Sequence, residues 1–203
     1  MNKKFDKIHK LTDNPFLNLY QMDALDTKGM PFSYYFASRN DAQHIKIRTK
    51  SVRAEGIVIY AVTEEAQPRL VLIRQYRYPV DAFMYELPAG LIDGDETHGM
   101  AAAREMKEET GLDFIEYTGG RECYRRPYFM GPGFTDETSA TVFGTVSGTV
   151  SDAFAEDTEE IQVILADKEK VRHILANERV SIRGAYLMMH FLHASEPFSF
   201  LDA

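Results

Sequence analysis

Three glutamates in the middle of the chain, Glu105, Glu108 and Glu109, are spaced so that a helix would bring them together. Positions i, i+3 and i+4 of an α-helix lie on one face within a single turn. Like charges at this spacing repel one another, and more strongly as water is excluded, so such a helix needs a compensating cation. Carboxylate oxygens suit a hard divalent ion, Mg²⁺ or Mn²⁺, and no cysteine or histidine pair competes. The spacing therefore predicts a divalent metal site.

A solvated surface helix is the alternative interpretation of the same segment. Such a helix would carry lysines beside the glutamates, and only Lys107 is available. The opposite face is small or apolar and can pack against a sheet, at Met100, Ala101, Ala103 and Met106. Glu96 and Arg104 have opposite charges and could fix the loop before the helix to the helix itself.

The acidic residues are concentrated in two windows. Residues 86–122 contain ten Asp or Glu against three Lys or Arg, and residues 152–160 contain five acidic residues and no basic one. The 203-residue chain has a formal charge of -8, so the remainder carries about +4 once the -12 of these windows is removed. The net charge argues against a nucleic-acid-coating surface, but a metal in the acidic windows would allow an anionic small-molecule ligand.

Length and composition limit the other function classes. The length fits one globular domain, or one domain with a small appendage, and no run of about 18 apolar residues predicts a membrane span. No secretory signal follows the charged start, and the one cysteine, Cys123, cannot form an intrachain disulfide or a thiolate zinc site. We therefore expect a cytoplasmic protein without a nucleic-acid or membrane partner.

The elements that must position the glutamates form an α/β pattern. A helix is expected from Thr97 as its cap to Gly111 as its stop. Residues 1–12 are expected to be frayed or helical, and the later helices to cover 167–178 and 182–193. A hairpin of two runs, 16–25 and 32–38, is predicted first, and the further strands are predicted at 45–49, 56–62, 69–75, 113–124, 140–150 and 160–165.

These elements predict a mixed sheet with helices on both faces and a small β-hairpin element at the N-terminus. We divide the chain into residues 1–45, a β element, and residues 46–203, the main domain. An isolated hairpin is marginally stable in water, so it should dock on the main domain or on a second subunit. Its aromatic side chains are expected to be exposed and so favour a homodimer, with ordinary packing within the chain as the alternative: Tyr20, Phe32, Tyr34, Tyr35 and Phe36.

The stretch from Gly90 to Leu112, GLIDGDETHGMAAAREMKEETGL, resembles the sequence box of the Nudix hydrolases at every fixed position. The resemblance implies a Nudix-type α/β/α sandwich and hydrolysis of a nucleoside diphosphate linked to another group, with Mg²⁺ or Mn²⁺ as cofactor. It also implies that Glu105, Glu108 and Glu109 are metal ligands, with Glu109 catalytic, and that the carbonyl of Ala89 is a further ligand.

Residues outside the box resemble the ADP-ribose pyrophosphatase branch, which implies a small-molecule nucleotide-sugar substrate. The similar segments are residues 74–77 (RQYR), 86–90 (ELPAG) and 131–137 (GPGFTDE). A proline about 16 residues after the box marks the substrate class in that branch. Pro127 fits the spacing and Pro132 fits the sequence context, which we favour. The dimers of the branch exchange an N-terminal segment similar to the one here.

The remaining roles follow from the charge that accumulates on a diphosphate during hydrolysis. Arg77, in the matching RQYR context, is the first candidate to bind phosphate, with Arg53 and Arg74 behind it, and a plain surface role is the alternative. Phe134 or an aromatic of the N-terminal hairpin could stack on a base, and core packing is the alternative. By the resemblance, a carboxylate before the strand at 161–165 activates water. Glu156 or Asp157 is the expected base, and Glu159 a base or metal ligand, although a solvated polar loop is the alternative.

The expected reaction gives a nucleoside monophosphate and a sugar phosphate. Another substrate, such as GDP-mannose or a dinucleotide, is an alternative within the hydrolases. A nucleotide-sugar sensor that binds without turnover is an alternative from another class. Such sensors usually carry an added DNA-binding domain, and the intact Glu105, Glu108 and Glu109 favour turnover.

Overall fold

The computed structural model describes residues 4–153 and 160–203. Contacts divide the chain into a first unit, residues 1–55 with 127–139, and a second unit, residues 56–126 with 140–203. Residues 127–139 thus belong with the N-terminal residues, although residues 56–126 of the second unit separate the two parts in sequence. None of the helices in the described part of the chain is long and apolar enough to span a bilayer.

The first unit contains a three-stranded antiparallel sheet in chain order. The strands are β1 (Phe5–Lys10), β2 (Asn18–Leu25) and β3 (Pro31–Ser38). The predicted hairpin is confirmed as β2 and β3. The expectation that residues 1–12 are frayed or helical is wrong, because pairing with β2 supplies the backbone hydrogen-bond partners of β1, a tertiary effect that overrides its polar composition.

A small core in the first unit forms where β2 and β3 face the residues that follow them. The rings of Tyr20 and Phe36 stack at a centroid distance of 5.3 Å, and Ile45 completes this core. These two rings are buried, contrary to the expectation of exposed aromatics, whereas Phe32, Tyr34 and Tyr35 are exposed.

The strand predicted at 45–49 is wrong, since the short helix α1 (Lys46–Thr49) lies there. The consecutive residues Ile45 and Lys46 are both buried. Successive residues of a strand point to opposite faces, so a strand with one solvated face could not bury both. The alternation that predicted the strand extends over five residues only, which is too short to distinguish the two-residue period of a strand from the 3.6-residue period of a helix.

An eight-stranded sheet contains the remaining strands, in the order β11-β5-β4-β10-β8, with β6 paired to β5, β7 to β4 and β9 to β10. Their bounds are β4 (Gly56–Thr63), β5 (Leu70–Arg77), β6 (Ala82–Glu86), β7 (Ala89–Leu91), β8 (Asp113–Glu116), β9 (Tyr128–Phe129), β10 (Thr138–Ser147) and β11 (Ile161–Ala166). Every residue of β4 is buried, as its continuous apolar run predicts.

Three helices pack on the strands of the second unit: α2 (His98–Thr110), α3 (Lys168–Asn177) and α4 (Ile182–His193). Helix α2 contacts β4, β7 and β8, α3 contacts β11 and α4, and α4 contacts β6. The core between them includes Tyr60, Leu72, Phe143, Ile174 and Met188. The predicted α/β class is confirmed.

The strand predicted at 113–124 is wrong beyond Glu116. Gly120 adopts a φ of +80°, which breaks an extended strand, and a short 3-10 helix follows at Glu122–Tyr124. The backbone N–H of Arg121 donates to the carbonyl of Leu201 at 2.9 Å, so this segment bonds to the C-terminal residues instead of a neighbouring strand.

Candidate functional site

Helix α2 carries the three predicted ligands, and local signals determine both of its ends. The Thr97 side chain accepts a hydrogen bond from the N–H of Met100 at 3.2 Å, as an N-cap does. The helix ends where Gly111 adopts a φ of +76°. Both ends agree with the sequence prediction, so Glu105, Glu108 and Glu109 lie within the last two turns.

Two of these glutamates lie against the backbone of β7. The N–H of Ala89 donates to Oε2 of Glu109 at 3.2 Å, and Glu109 is only 7% exposed. A Cβ added to Gly90 would lie 1.9 Å from the carboxylate carbon of Glu105. The glycine therefore leaves the space that the Glu105 carboxylate occupies. Helix α2 and β7 thus bring together Glu105, Glu109 and the residue whose carbonyl was predicted as a ligand.

Arg104 connects the loop before α2 to the carboxylates on the helix. Its Nε donates to Oε1 of Glu96 at 3.0 Å, and its Nη1 donates to Glu105 at 2.8 Å and to Glu108 at 3.1 Å. Its Nη2 also donates to the carbonyl of Leu91 at 2.9 Å. The predicted contact between Glu96 and Arg104 is therefore present in the structure.

The hydrogen bonds in this cluster shift the pKa values of Arg104 and Glu96. The Glu96 hydrogen bond is the largest cause that raises the pKa of Arg104 above its ordinary value. The same bond, helped by the N–H of Asp93, lowers the pKa of Glu96. Both groups therefore stay charged at neutral pH, and the loop remains bonded to the helix.

The donor set suits a hard divalent ion, because it consists of carboxylate and carbonyl oxygens. Glu108 is the most open of the three, with 43% of its side chain exposed. Among the described residues, no three His, Cys, Asp or Glu side chains are grouped closely enough to hold one ion. Arg104 donates to Glu105 and Glu108 in this arrangement, and the ligand assignment stays a prediction.

The predicted substrate arginines are distributed over both units. In the second unit, Nη1 of Arg74 donates to Gln162 at 3.2 Å and its guanidinium lies 4.0 Å above the Phe83 ring. Arg77, at the end of β5, donates from Nε to Oε2 of Glu86 at 2.5 Å. In the first unit, the side chain of Arg53 is exposed and its carbonyl accepts from Lys46 at 2.6 Å.

The other predicted substrate residues, Pro132 and Phe134, belong to the first unit. Phe134 is exposed, and its carbonyl accepts from the N–H of Ala37 at 2.8 Å. Pro132 lines a mostly apolar cavity of about 350 Å³ with Phe36, Val52 and Phe129. The cavity meets the size of a small-molecule site, which starts at about 300 Å³.

The predicted bases lie outside the described residues. Glu156, Asp157 and Glu159 belong to residues 154–159, which the structure does not describe. The residues on either side belong to the second unit. The N–H of Ser151 donates to the carbonyl of Thr110 at 3.0 Å, and the carbonyl of Glu160 accepts from Tyr76 at 3.3 Å. The chain thus leaves the C-terminal end of α2 and returns beside β5.

Glu86 received no role from the sequence. The structure buries it at the end of β6, where it accepts the hydrogen bond from Arg77. A signal was available: Glu86 follows an apolar and aromatic strand segment, where an acidic residue needs a partner. The sequence could not name that partner, because the pairing depends on the register of β5 with β6.

Comparison with known proteins identifies related chains. The model of the NUDIX domain matches residues 52–182. A Caenorhabditis elegans protein provisionally named nudix hydrolase 2 is 32% identical over 162 residues, which are 75% of this chain and 70% of that protein.

Two further relatives carry more specific names. ADP-ribose pyrophosphatase of Bacillus subtilis is 32% identical over 40% of each chain. ADP-sugar pyrophosphatase of Mus musculus is 34% identical over 51% of this chain and 47% of that protein. Less than half of each of these two enzymes is therefore matched.

A solved structure shares the fold. The crystal structure of an ADP compounds hydrolase aligns with a TM-score of 0.65 over 93% of both chains. The sequence identity of 16% makes this a statement about the fold alone.

Proposed function

Because this chain belongs to the Nudix family of hydrolases, we propose that it hydrolyses the diphosphate linkage of ADP-ribose or a similar nucleoside diphosphate sugar. The products are a nucleoside monophosphate and a sugar phosphate. One observation carries the proposal: helix α2 holds the carboxylates of Glu105 and Glu109 against the backbone of Ala89 and Gly90. The names of the B. subtilis and mouse relatives support the substrate class.

The residues that would hold Mg²⁺ or Mn²⁺ are Glu105, Glu108, Glu109 and the carbonyl of Ala89. When bound, a divalent ion supplies positive charge that stabilises the negative charge developing on the diphosphate oxygens. Arg104 holds Glu105 and Glu108 on one side of α2 through its Nη1 bonds. Glu96 fixes Arg104 in turn, so these two residues position the ligands without touching the substrate.

We infer that further side chains bind and orient the substrate. Arg77, followed by Arg74 and Arg53, neutralises phosphate oxygens, since a guanidinium matches their geometry. Pro132 belongs to the nucleoside-binding part, where the Phe134 ring can stack on a base. A carboxylate from Glu156, Asp157 or Glu159 takes the proton from the water that attacks phosphorus.

The quaternary arrangement and the location belong to the same proposal. Residues 1–45 form a β element that joins two copies of the chain, while residues 46–203 form the hydrolase domain. Exposed aromatic side chains on β3, at Phe32, Tyr34 and Tyr35, support a homodimer. The use of a single cysteine supports a cytoplasmic location. Light scattering on the full chain measures the oligomeric state, and a monomer would contradict this part.

A substrate panel tests the reaction. The full chain is incubated with ADP-ribose, other ADP-sugars, GDP-mannose and a dinucleotide, in Mg²⁺, in Mn²⁺ and in chelator, and the products are separated by chromatography. We expect ADP-ribose or another ADP-sugar to be cleaved fastest, and only with metal. Cleavage of none of these compounds with either metal would refute the proposed function and favour a sensor.

The Glu109→Gln variant links the reaction to the site. We expect kcat to fall by at least about 100-fold, because a ligand carboxylate is lost while its shape and its bond from Ala89 are kept. Glu169→Gln removes one carboxylate from α3 and serves as the matched control, with unchanged kcat. Equal kcat values of the two variants would refute the assignment of Glu109 as a metal ligand.

A further inference from the structure

We propose that Glu86 is a positioning residue, which holds the guanidinium of Arg77 by its Nε so that the two terminal amines bind substrate phosphate. The inference rests on the proposed function and adds to it a residue that no sequence motif assigned a role. It begins from the shortest contact of Arg77, the hydrogen bond of 2.5 Å from its Nε to Oε2 of Glu86.

The register of the β5–β6 hairpin places the two side chains on one face. Arg77 pairs with Ala82, and Glu86 pairs with Ile73. Arg77 and Ile73 are four residues apart on β5, so they share a face, and Glu86 shares it as the cross-strand partner of Ile73. The Arg77 side chain therefore has to extend back along the hairpin to meet Glu86.

The burial of the pair is graded along this face. The side chain of Glu86 is 8% exposed, whereas the side chain of Arg77 is 39% exposed. A buried carboxylate is costly to keep charged without a partner, and a charge-assisted bond offsets that cost. The carboxylate is the fixed, inner end of the pair and the guanidinium is the outer, solvent-accessible end.

The atom that makes the contact decides what remains available. A guanidinium has five N–H donors in a planar fork, and Nε carries one of them. Within the described residues, the Nη atoms of Arg77 make no hydrogen bond, which leaves four donors for a ligand. Phosphate oxygens match two parallel donors of this fork, so a fixed guanidinium binds them at a lower entropic cost.

Chain connectivity couples the pair to the carboxylate site. Glu86 ends β6, and Ala89 begins β7 after the two residues Leu87 and Pro88. The N–H of Ala89 donates to Glu109, and Leu87 is buried in the core of the second unit. Glu86, which bonds Arg77, and Ala89, which bonds Glu109, therefore lie on the same short, packed segment.

The test compares Glu86→Gln with Glu65→Gln in the full chain. Glu65 forms an exposed ion pair with Arg69, whose Nη2 lies 2.5 Å from Oε1 of Glu65, and it serves as the matched control. The glutamine at position 86 keeps the shape and loses the charge. We expect KM for ADP-ribose to rise about tenfold with kcat changed less than about twofold, since binding common to ground and transition states is lost.

A double-mutant cycle separates positioning from general support of the fold. In the Arg77→Ala background, Glu86→Gln should raise KM no further, because the guanidinium it positions is gone. Arg77→Lys, which lacks Nε, should bind ADP-ribose as weakly as Arg77→Ala. Urea unfolding of each variant checks that the fold is kept.

The outcomes distinguish this inference from the proposed function. An unchanged KM in folded Glu86→Gln, or additive effects in the cycle, would overturn the inference while a hydrolytic wild type upholds the function. If the wild type cleaves none of the panel, the Kd for ADP-ribose without metal, measured by calorimetry, replaces KM in the same cycle. An unchanged Kd in Glu86→Gln, or additive effects on Kd, would then overturn the inference.

Discussion

Two clusters in this chain each place one cation among oxygen atoms, and they differ in how the charge is balanced. Lys46, in the first unit, is 5% exposed and donates from Nζ to Glu55 at 2.9 Å, to Thr138 at 2.5 Å and to the carbonyl of Arg53 at 2.6 Å. Arg104, in the second unit, donates to three carboxylates and one carbonyl. The ammonium of Lys46 donates to one carboxylate among neutral oxygens, whereas the guanidinium of Arg104 donates to three carboxylates.

This difference indicates what each cluster does. One ammonium and one carboxylate balance each other, and the neutral oxygens fill the remaining donor sites of Lys46, so the cluster is complete as a structural bond. One guanidinium cannot balance three carboxylates, and Glu109 lies on the same helix face. An excess of carboxylate that the fold holds in place is suited to a further cation. The following predictions test this contrast.

The largest effect is expected from Lys46→Met. The substitution leaves the Glu55 carboxylate, which is mostly buried, without its ammonium partner, and should lower the free energy of unfolding by about 3 kcal/mol. Urea denaturation at neutral pH measures it. The double variant Lys46→Met, Glu55→Leu removes both charges and should recover part of the loss. A loss below about 1 kcal/mol would show that the pair behaves as a surface ion pair and would break the contrast.

Gly90→Ala should affect activity with little change in stability. The added Cβ would overlap the carboxylate of Glu105, which is the flexible end of a side chain and can move away. We expect kcat to fall by about 10- to 100-fold because a predicted metal ligand is displaced. Steady-state kinetics and urea unfolding of the same preparation measure the two quantities.

Gly94→Ala is the matched control for that variant, because the added Cβ meets no atom within 4 Å but the backbone φ is +50°. It should cost about 1 kcal/mol of stability from the left-handed backbone and leave kcat unchanged. If Gly90→Ala retains full kcat, the Glu105 carboxylate is not needed where the structure holds it, and the site assignment fails.

The smallest effect is expected in the pH dependence of stability. Burial raises the pKa of Glu55, but hydrogen bonds from Lys46, the N–H of Thr138 and Asn40 outweigh it, so the pKa lies below its ordinary value of 4.5. A lowered folded-state pKa stabilises the fold above the unfolded-state pKa, and this contribution is lost as pH falls through the folded-state value.

Glu55→Gln should therefore lose less stability on acidification than the wild type does. Urea unfolding between about pH 6 and about pH 3.5 compares the two chains. At neutral pH the variant should be the less stable one. Parallel curves for variant and wild type would show that Glu55 titrates at its ordinary pKa and that the Lys46 cluster does not hold its charge.

The parts of the structure that could be predicted are those with local causes. Helix α2 was predictable with both ends because Thr97 and Gly111 act on their own neighbours. The segment at 45–49 was not, because its burial depends on contacts with β2 and β3. Likewise β1 forms through its pairing with β2, which no pattern within residues 5–10 encodes.

The candidate site likewise contains features with local causes, which could be predicted, and one feature that depends on strand pairing. The spacing of Glu105, Glu108 and Glu109 fixes their common helix face, and the contact between Glu96 and Arg104 also followed from charge. The bond between Arg77 and Glu86 needed the register of a hairpin, which side-chain types alone do not specify. The roles of Glu156, Asp157 and Glu159 lie outside the described residues and stay predictions.

Gly56 gives the site a dependence on a position that belongs to no motif. A Cβ added there would lie 2.8 Å from the carbonyl oxygen of Gly90, a backbone atom that cannot turn aside. Any side chain at position 56 would push the β7 backbone, and with it the residue that makes room for Glu105. A variant at Gly56 should therefore displace the Glu105 carboxylate as Gly90→Ala does, and its kcat should be measured beside that of Gly90→Ala.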